Sequence, residues 1–361
     1  VNSYTKTYMA GNQALGRNLD ANAMRNHFYR FPGVDNDKDK TLSAMLRMAV
    51  IAQTQERYEK APTETDEQRA EKAALEGLVK QLFVELKRDF KPSDLPPYTL
   101  VKLGVHLANT SQPEESIAYF DEILDPSEPD PVRKKARING MSKYRKNAVF
   151  GKAVALGRSK DNAKVETAIK MMKDELSKEE SSANPDRKAM EDAQYNLVKF
   201  TSARQDWPSV IAAADKYREN KSYKKNLPEV LYLQGEAYLK QNELDKALIN
   251  FMNITGTYKG LVKWSAPAVL AQMDTLWKRN TMSQGAGKQP SDRYIAWKAG
   301  SQYVQLLDTP ANRKKMTAED SALVNEVKDK TAKFGSDPAV SQERADIAAY
   351  EAAIRAAKGQ K

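Results

Sequence analysis

Residues 228–259 read PEVLYLQGEAYLKQNELDKALINFMNITGTYK, and no other stretch of the chain is as informative. Gly235 and Tyr238 recur at a three-residue step within an apolar pattern that follows one face of a helix. Ala247 and Phe251 begin a second face with the same period. Polar, turn-tolerant residues separate the two halves. The stretch therefore predicts two antiparallel amphipathic helices, packed closely at the small residues, with the aromatic rings filling the remaining space.

This pattern resembles the tetratricopeptide repeat, whose period is about 34 residues with the signature W-x2-L-G-x2-Y…A-x3-F…P. The residues that match the signature outright are Gly235, Tyr238, Ala247 and Phe251. Leu231 stands at the Trp position, while Gln234 and Lys259 stand where the family has Leu and Pro. The chain is identified on these residues as a divergent bacterial member of the tetratricopeptide superfamily.

Two further copies support the resemblance. In residues 97–129, Gly104 and Phe120 are 16 residues apart, as are Gly235 and Phe251. A degenerate third copy occupies residues 191–220, and its matching features are Val198, Gln205, Asp206, Trp207, Val210, Ala214 and Tyr217. The residues expected to be structural are Gly104, Phe120, Gly235, Tyr238, Ala247 and Phe251. The predicted fold is an all-α, tetratricopeptide-like α-solenoid of stacked antiparallel helix pairs.

Composition agrees with thin helical layers. Of the 361 residues, 40% are hydrophobic and 29% are charged, with a mean hydropathy of −0.71. Runs of alternating Val, Ile and Thr joined by tight turns are scarce, so strands are not expected. Cysteine is absent, which excludes disulfides, thiolate metal sites and cysteine nucleophiles.

Only two histidines, His27 and His106, could support zinc or triad chemistry. His106 lies within a repeat helix, so packing or simple exposure is its expected role. No Ser-His-Asp, HExxH or paired-carboxylate pattern stands out. We therefore expect no enzyme activity, no catalytic residue, no metal and no cofactor.

Two short motifs are rejected. Asp35–Asp39 is similar to the start of a calcium loop, but Lys40 and Leu46 occupy the places of the required Gly and Glu. Gly285–Lys288 is similar to a phosphate loop, but Gln289 follows the Lys in place of Ser or Thr. The first is expected to be a solvated loop that caps the next helix, and the second is expected to be part of a flexible connection.

Four regions are predicted along the chain. They are an N-terminal extension (1–40), helical repeats with the unit at 97–129 (41–130), a basic helical block with further repeats (131–260), and C-terminal helices ending in a capping helix (261–361). The helix expected near 41–60 should turn inward Leu42, Met45, Leu46, Ala49 and Val50. In the last helix we expect Asp337 as N-cap, Pro338 in the first turn and Gly359 past the end.

The sequence has no apolar run of the roughly 20 residues that span a bilayer. The chain begins with Val1, from which a removed leader is expected, and this agrees with the absence of cysteine. An exported or periplasmic setting is therefore expected, with the cytoplasm as the alternative.

Positive charge is concentrated in one block. Residues 131–225 carry a net charge of +11, more than the +10 of the whole chain, and residues 132–160 hold ten basic residues and no acidic one. The candidates for an anion-binding patch are Arg133, Lys134, Lys135, Arg137, Lys143, Arg145 and Lys146. The alternative is a solvated helical face whose counter-charges come from neighbouring helices. Nucleic acid is not the favoured partner, because no known module for it is present.

Aromatic residues are frequent at 264–303. Trp264, Trp277, Tyr294, Trp297 and Tyr303 could line a peptide groove, but aromatic residues at helical spacing are more often core. We expect core positions for them.

The resemblance implies a non-catalytic scaffold or adaptor that holds a protein or peptide on its concave face. By position in the repeat, the groove-lining residues are expected from first helices: Tyr98, Lys102, Asn196, Lys199, Tyr232 and Glu236. The alternative function is binding of an anionic polymer or surface, such as nucleic acid, lipid head groups or a glycan, through 132–160. Peripheral contact with a membrane belongs to this alternative.

Overall fold

A computed structural model describes residues 40–63, 65–110, 112–285, 289–313 and 316–359. Throughout these ranges the regular structure is helical, without a strand, as the hydrophobic period predicts. The fold is all-α and solenoid-like, built from stacked antiparallel helix pairs. It divides into two compact units, the first ending at Met172 and the second beginning at Lys173. The four predicted regions place no boundary there and stay predictions.

The first unit contains six helices that lie wholly within its described residues. They are α1 (Lys40–Lys60), α2 (Asp66–Asp89), α3 (Pro97–Asn109), α4 (Pro113–Leu124), α5 (Pro131–Met141) and α6 (Arg145–Gly157). Single 3-10 turns precede α3 and α6 at Pro92–Asp94 and Ser142–Tyr144. The division between the units falls inside α7 (Asn162–Glu180).

The second unit continues with helix pairs. Its helices are α8 (Arg187–Ala203), α9 (Trp207–Glu219), α10 (Leu227–Lys240), α11 (Leu244–Thr257), α12 (Val262–Arg279), α13 (Asp292–Leu307), the short α14 (Pro310–Arg313), α15 (Ala318–Gly335) and α16 (Pro338–Gly359). Consecutive helices pack together, and α8, α10, α12 and α15 also contact one another in that order. We call α8, α10, α12 and α15 the first helices, because each opens a pair.

Local sequence explains where the helices begin. Thr65 and Gln68 form a capping box at α2, in which each side chain bonds the other's backbone N–H. The Asp337 carboxylate accepts from the N–H groups of Ala339 and Val340 at 3.0 and 3.3 Å, which confirms the predicted start of α16.

Burial along α1 confirms Leu46, Ala49 and Val50 as inward residues, whereas the inward placement of Met45 is wrong, since Met45 is 39% exposed. The side chain of Leu42 lies outside the described residues. Positions 43 and 44 are buried in its place, so the apolar stripe of α1 is rotated from the one expected.

In the first unit the core is organised around Phe120 of α4, which is fully buried. A Cβ atom added to Gly104 of α3 would lie 2.8 Å from the Phe120 ring, and one added to Gly151 of α6 would lie 2.2 Å from it. Contacts this short do not occur between real side chains. The ring therefore needs glycine on both sides, which explains why α3, α4 and α6 approach so closely.

The second unit repeats this arrangement at Phe251 of α11. Its ring is fully buried, and a Cβ on Gly235 of α10 would lie 2.6 Å from it. Ala268 of α12 belongs to the same core cluster on the other side. The structural roles predicted for Gly235, Ala247 and Phe251 are confirmed, since Ala247 is also fully buried.

Two turns in the second unit have the same geometry. Gln205 ends α8 with φ = 57° and Asn242 ends α10 with φ = 61°, and both are left-handed non-glycine residues. In each turn the next N–H reaches the carbonyl five residues back, as in a Schellman motif. These bonds are Asp206 N to Thr201 O at 3.1 Å and Glu243 N to Tyr238 O at 2.9 Å. The two turns are 37 residues apart, so this offset superposes α8–α9 on α10–α11.

The last helix is covered only at its start. Helix α16 contacts α13 and α15, with Val340 fully buried and Glu343 accepting from the backbone and hydroxyl of Ser291. Residues 348–357, the alanine-rich part, are all exposed. Within the described ranges, no helix combines the length and apolar character needed to cross a membrane.

Candidate binding face

The first helices of the second unit present a row of half-buried aromatic residues. Tyr195 of α8 and Tyr232 of α10 are 37 residues apart and hold equivalent places. Trp264 of α12 follows, with its ring centroid 6.3 Å from that of Tyr232. We call the surface of α8, α10 and α12 that carries these three residues the first-helix face.

Between α8 and α10, a hydrogen bond and an ion pair cross this face. The Tyr195 hydroxyl donates to Glu229 at 2.6 Å, and the Lys199 ammonium lies 3.7 Å from the same carboxylate. Lys199 also lies 5.3 Å from the centre of the Tyr195 ring. The three side chains therefore form one satisfied group, in which Glu229 of α10 is held by two residues of α8.

Between α10 and α12 the contact is aromatic. The Tyr232 ring meets the Trp264 ring at 47° and the Phe251 ring at 5.9 Å and 54°. These tilted geometries are typical of favourable aromatic pairs. The hydroxyl of Tyr232 is hydrogen-bonded to Glu236, one turn further along α10. Lys263 lies 5.6 Å from the centre of the Trp264 ring.

The electrostatics of this seam favour uncharged forms. Burial, with the neighbouring charge of Glu236, raises the pKa of Tyr232 to about 12. Burial also raises the pKa of Glu236 above its ordinary range, and the Tyr232 hydrogen bond and the charge of Lys240 only partly oppose this. The carboxylate of Glu326 on α15 also raises the pKa of Tyr232. Two carboxylates, Glu236 and Glu326, therefore act on the Tyr232 hydroxyl.

Four of the six predicted groove residues lie on α8 and α10, two of the helices that form the first-helix face: Asn196, Lys199, Tyr232 and Glu236. Asn196 uses its amide to bond the Asp192 carbonyl at 2.8 Å. The other two, Tyr98 and Lys102, lie on α3 of the first unit, where both are exposed and the Lys102 ammonium is 5.7 Å from the Tyr98 ring centre. A groove role for all six stays a prediction.

The prediction did not include Tyr195 and Glu229, which carry the link between α8 and α10. A signal for Tyr195 was present in the sequence, since it lies 37 residues before Tyr232 in the degenerate third copy. The 34-residue family period hides this offset, because the connection between α9 and α10 spans residues 220–226 and is longer than the three-residue turns that follow α8 and α10.

The structure shows why Gln is tolerated at position 234, where the family signature has Leu. It is fully buried, its amide N–H donates to Asp215 at 2.7 Å, and its carbonyl accepts from Arg218 at 2.7 Å. A buried amide is stable only with such partners. Gln234 therefore ties α10 to α9 through hydrogen bonds where a Leu would make apolar contacts.

An open cleft of about 870 Å³ lies beside this group. Its lining includes Arg218, Lys221, Lys224, Asp215, Glu219 and Tyr258. Charges of both signs alternate along it. The cleft therefore favours neither anionic nor cationic ligands as a class.

The basic block is partly neutralised by α4 and the turn after it. Lys134 pairs with Asp125 at 2.7 Å, and Arg137 pairs with the buried Glu122 at 3.1 Å. Arg145 donates to a backbone carbonyl at the end of α4 at 3.1 Å. Of the seven candidates, these three serve the structure of the first unit, as the alternative of neighbouring counter-charges anticipates for them.

Arg133, Lys135 and Lys143 are exposed, and none of them makes an ion pair with a described residue. Lys143 lies 5.0 Å from the centre of the Tyr144 ring. Helix α5, which carries the first two, buries only Met141 and leaves Val132 78% exposed. What remains of the patch is a surface helix with a small unpaired basic cluster. Lys146 has a partner of its own and does not belong to that cluster.

The aromatic residues at 264–303 divide by burial. Tyr294 and Tyr303 are core residues, at 7% and 5% exposure, which confirms their predicted positions. The three Trp residues are half-buried. Trp277 stacks on Phe334 at 4.0 Å, and Trp297 lies under the Arg344 guanidinium at 4.1 Å, so both pack within the unit.

His106 is a packing residue, as expected. Its ring is half-buried and stacks on Phe83 at 4.0 Å, and burial, with the nearby charge of Lys80, lowers its pKa. No group of three or more potential metal ligands occurs in the described part of the chain. His27, Asp35–Asp39 and most of the 285–288 motif lie outside the described residues.

Comparison with known proteins identifies no relative: no protein-family model matches the chain, and no curated protein is significantly similar to it.

Proposed function

We propose that this chain is a divergent tetratricopeptide-type scaffold, without chemistry of its own, that holds a protein or peptide on the first-helix face of its second unit. The observation that carries the proposal is the row of Tyr195, Tyr232 and Trp264. These half-buried rings come from three consecutive first helices and lie beside charged groups. Half-buried aromatic residues on a rigid surface are typical of binding hot spots.

The helix pairs suit this role because they give the face a fixed spacing. Each first helix contacts the next, so an extended peptide or a helix could contact all three at once. Buried cores on both sides of Phe251 keep the face rigid, which lowers the entropy lost on binding.

The test is capture of partners from the source lysate after nuclease treatment, with wild type and two variants compared by mass spectrometry. Tyr232→Ala combined with Lys199→Ala removes contacts from the first-helix face. Ile249→Ser combined with Met252→Ser changes exposed residues of α11 and serves as the matched control. We expect partners that persist at high salt with wild type and the control to be lost with the first variant. Loss of the partners only with the α11 variant would place the binding site on α11 and contradict the proposal.

A second candidate, binding of an anionic polymer or surface, is supported by the unpaired Arg133, Lys135 and Lys143 around α5. Reversing these three to Glu should leave the fold intact, because all three are exposed and none makes an ion pair with a described residue. Contacts to phosphates release counterions, so binding of this kind should fall steeply with salt and be lost in the variant. Retention of the same ligands by the variant would contradict this candidate.

An exported or periplasmic setting, with the cytoplasm as the alternative, is likewise a proposal. A chain without cysteine has no thiol to be oxidised in an oxidising compartment, which is compatible with that setting. Fractionation of the source cells, probed with an antibody to this chain, tests it.

A further inference from the structure

The seam between α10 and α12 differs from its neighbours in charge. Between α8 and α10 the pair Lys199–Glu229 crosses the first-helix face, and between α12 and α15 the pair Asp274–Lys330 links the two helices at 2.5 Å. In the intervening seam, Glu236 occupies the place equivalent to Lys199, 37 residues on. It makes no ion pair with any residue in the described ranges.

Glu236 is also desolvated. It is half-buried, it accepts a hydrogen bond from Tyr232, and burial holds its pKa above the ordinary range. A partly buried carboxylate without a counter-charge is unfavourable, so structures normally pair it. Lys240, one turn along α10, opposes the shift without removing it. The nearest lysine on α12, Lys263, lies over the Trp264 ring.

An aromatic pair begins beside this carboxylate. Tyr232, one turn earlier on α10, hydrogen-bonds it, and the Tyr232 ring centroid is 6.3 Å from that of Trp264 across the seam. Aromatic faces attract cations, with guanidinium groups most often found over Trp. Glu326 of α15 adds a second carboxylate whose charge acts on Tyr232. A half-buried carboxylate that makes no ion pair with a described residue, next to an aromatic pair, matches the chemistry of a cationic side chain.

We propose that Glu236, Tyr232 and Trp264 form the seat for a basic side chain, preferentially arginine, presented by the protein or peptide partner. The guanidinium pairs with the Glu236 carboxylate and stacks against Trp264, supplying the charge that Lys199 and Lys330 supply at the neighbouring seams. This assignment rests on the proposed function and states what the partner must present.

The test uses the full chain and two small probes, N-acetyl-arginine amide and its uncharged isostere N-acetyl-citrulline amide. Binding is followed by NMR through the indole N–H resonance of Trp264, assigned by its absence in Trp264→Phe. We expect the arginine probe to shift this resonance and the citrulline probe to bind at least about 5-fold more weakly. No shift with the arginine probe, or equal binding of both probes, overturns the proposal.

Glu236→Gln sharpens the test because it removes the charge while keeping the shape and an acceptor for Tyr232. It should weaken binding of the arginine probe by about 10-fold, which corresponds to about 1.4 kcal/mol. The matched control is Glu243→Gln, whose carboxylate pairs with Lys246 at the turn after α10. Unchanged affinity in Glu236→Gln overturns the assignment.

Captured partners separate this inference from the proposed function. Some partners could be lost with Tyr232→Ala plus Lys199→Ala but fully retained by Glu236→Gln. That result would support binding on the first-helix face and overturn the proposed arginine seat. A partner lost with both variants and retained by Glu243→Gln supports both.

Discussion

The helix pairs α8–α9 and α10–α11 reverse direction through the same turn, but they fill the space between their helices in opposite ways. In α10–α11 the first helix contributes Gly235 and the second contributes Phe251. At the equivalent places, 37 residues earlier, α8 contributes Val198 and α9 contributes Ala214. Phe251, Val198 and Ala214 are fully buried, and Gly235 is buried as well. Val198 and Ala214 share one core cluster.

The turn and the pairing of the helices therefore do not depend on which of the two helices contributes the larger buried side chain. Cores pack to a nearly constant density, so a large residue on one helix must face a small one on the other. Either distribution satisfies this condition. A family signature records only one of them, which explains why α8–α9 reads as degenerate in sequence while sharing the geometry of its neighbour.

The same two pairs differ on their exposed side. Lys199 of α8 is matched by Glu229 of α10, whereas Glu236, at the place equivalent to Lys199, makes no ion pair with a described residue. The buried positions are constrained by packing volume in both pairs. The first-helix face is not so constrained, and here the charge reverses.

The largest effect is expected from Phe251→Ala, which leaves a cavity beside Gly235 and should lower the free energy of unfolding by about 3–5 kcal/mol. Adding Gly235→Val would convert α10–α11 to the distribution found in α8–α9. Since the two sites are in contact, the double variant should be more stable than the sum of the single effects by about 1–2 kcal/mol. Urea denaturation of all four proteins measures this coupling.

Strict additivity in that cycle would contradict the equivalence of the two pairs. The control is Val198→Ala combined with Phe251→Ala. These residues belong to different core clusters, so their effects should add.

The second-largest loss of stability is expected from Gly235→Leu. A Cβ at this position would already lie 2.6 Å from the Phe251 ring, so the leucine forces the helices apart. Overpacking of this kind should lower the free energy of unfolding by about 3 kcal/mol. Gly256→Leu, on exposed α11 surface with no atom near its added Cβ, should be nearly neutral in the same thermal melts. Unchanged melting of Gly235→Leu would contradict the close packing of α10 on α11.

The smallest effect concerns pH and the reversed charge. Because the pKa of Glu236 is raised from its ordinary value of 4.5, the folded chain binds more protons than the unfolded chain above that value. Stability is therefore lost as the pH rises from 4.5 through the raised pKa. Glu236→Gln removes this loss, so the variant should gain on wild type as the pH rises, by at most about 1 kcal/mol after solvent screening.

Urea denaturation at a series of pH values checks the sign. Glu243→Gln, which removes an exposed ion pair with Lys246, should show no such gain. A pH-independent difference between Glu236→Gln and wild type would show that desolvation of this carboxylate is unimportant.

Much of the fold could be predicted because it depends on local pattern. The helices at 228–259, the turn at Gln241 and Asn242, and the start of α16 at Asp337 follow from periodicity, turn residues and caps. The close contact of Gly235 with Phe251 followed from their spacing within two adjacent helices. Met45 was misplaced because several rotations of α1 give similar apolar stripes.

The candidate site could be predicted only in part. Position in the repeat predicted Tyr232, Lys199 and Glu236 as face residues. Their contacts with Glu229 and Trp264 could not be predicted, because these contacts join one helix pair to the next. The pairing of Lys134 and Arg137 with acidic residues near α4 was equally inaccessible, because a block of like charge in sequence says nothing about the neighbours it meets.

By itself, the sequence determined the helical class, the pairing of adjacent helices and the small-to-large complementarity within a pair, since each depends on residues a few turns apart. Only the tertiary structure decided that Phe120 lies between Gly104 and Gly151, that Gln234 is a satisfied core residue, and that Glu236, unlike Lys199, makes no ion pair within the described part of the chain. These facts depend on how one helix pair stacks on the next, and that placement is set by the summed packing of many distant residues, which no local pattern encodes.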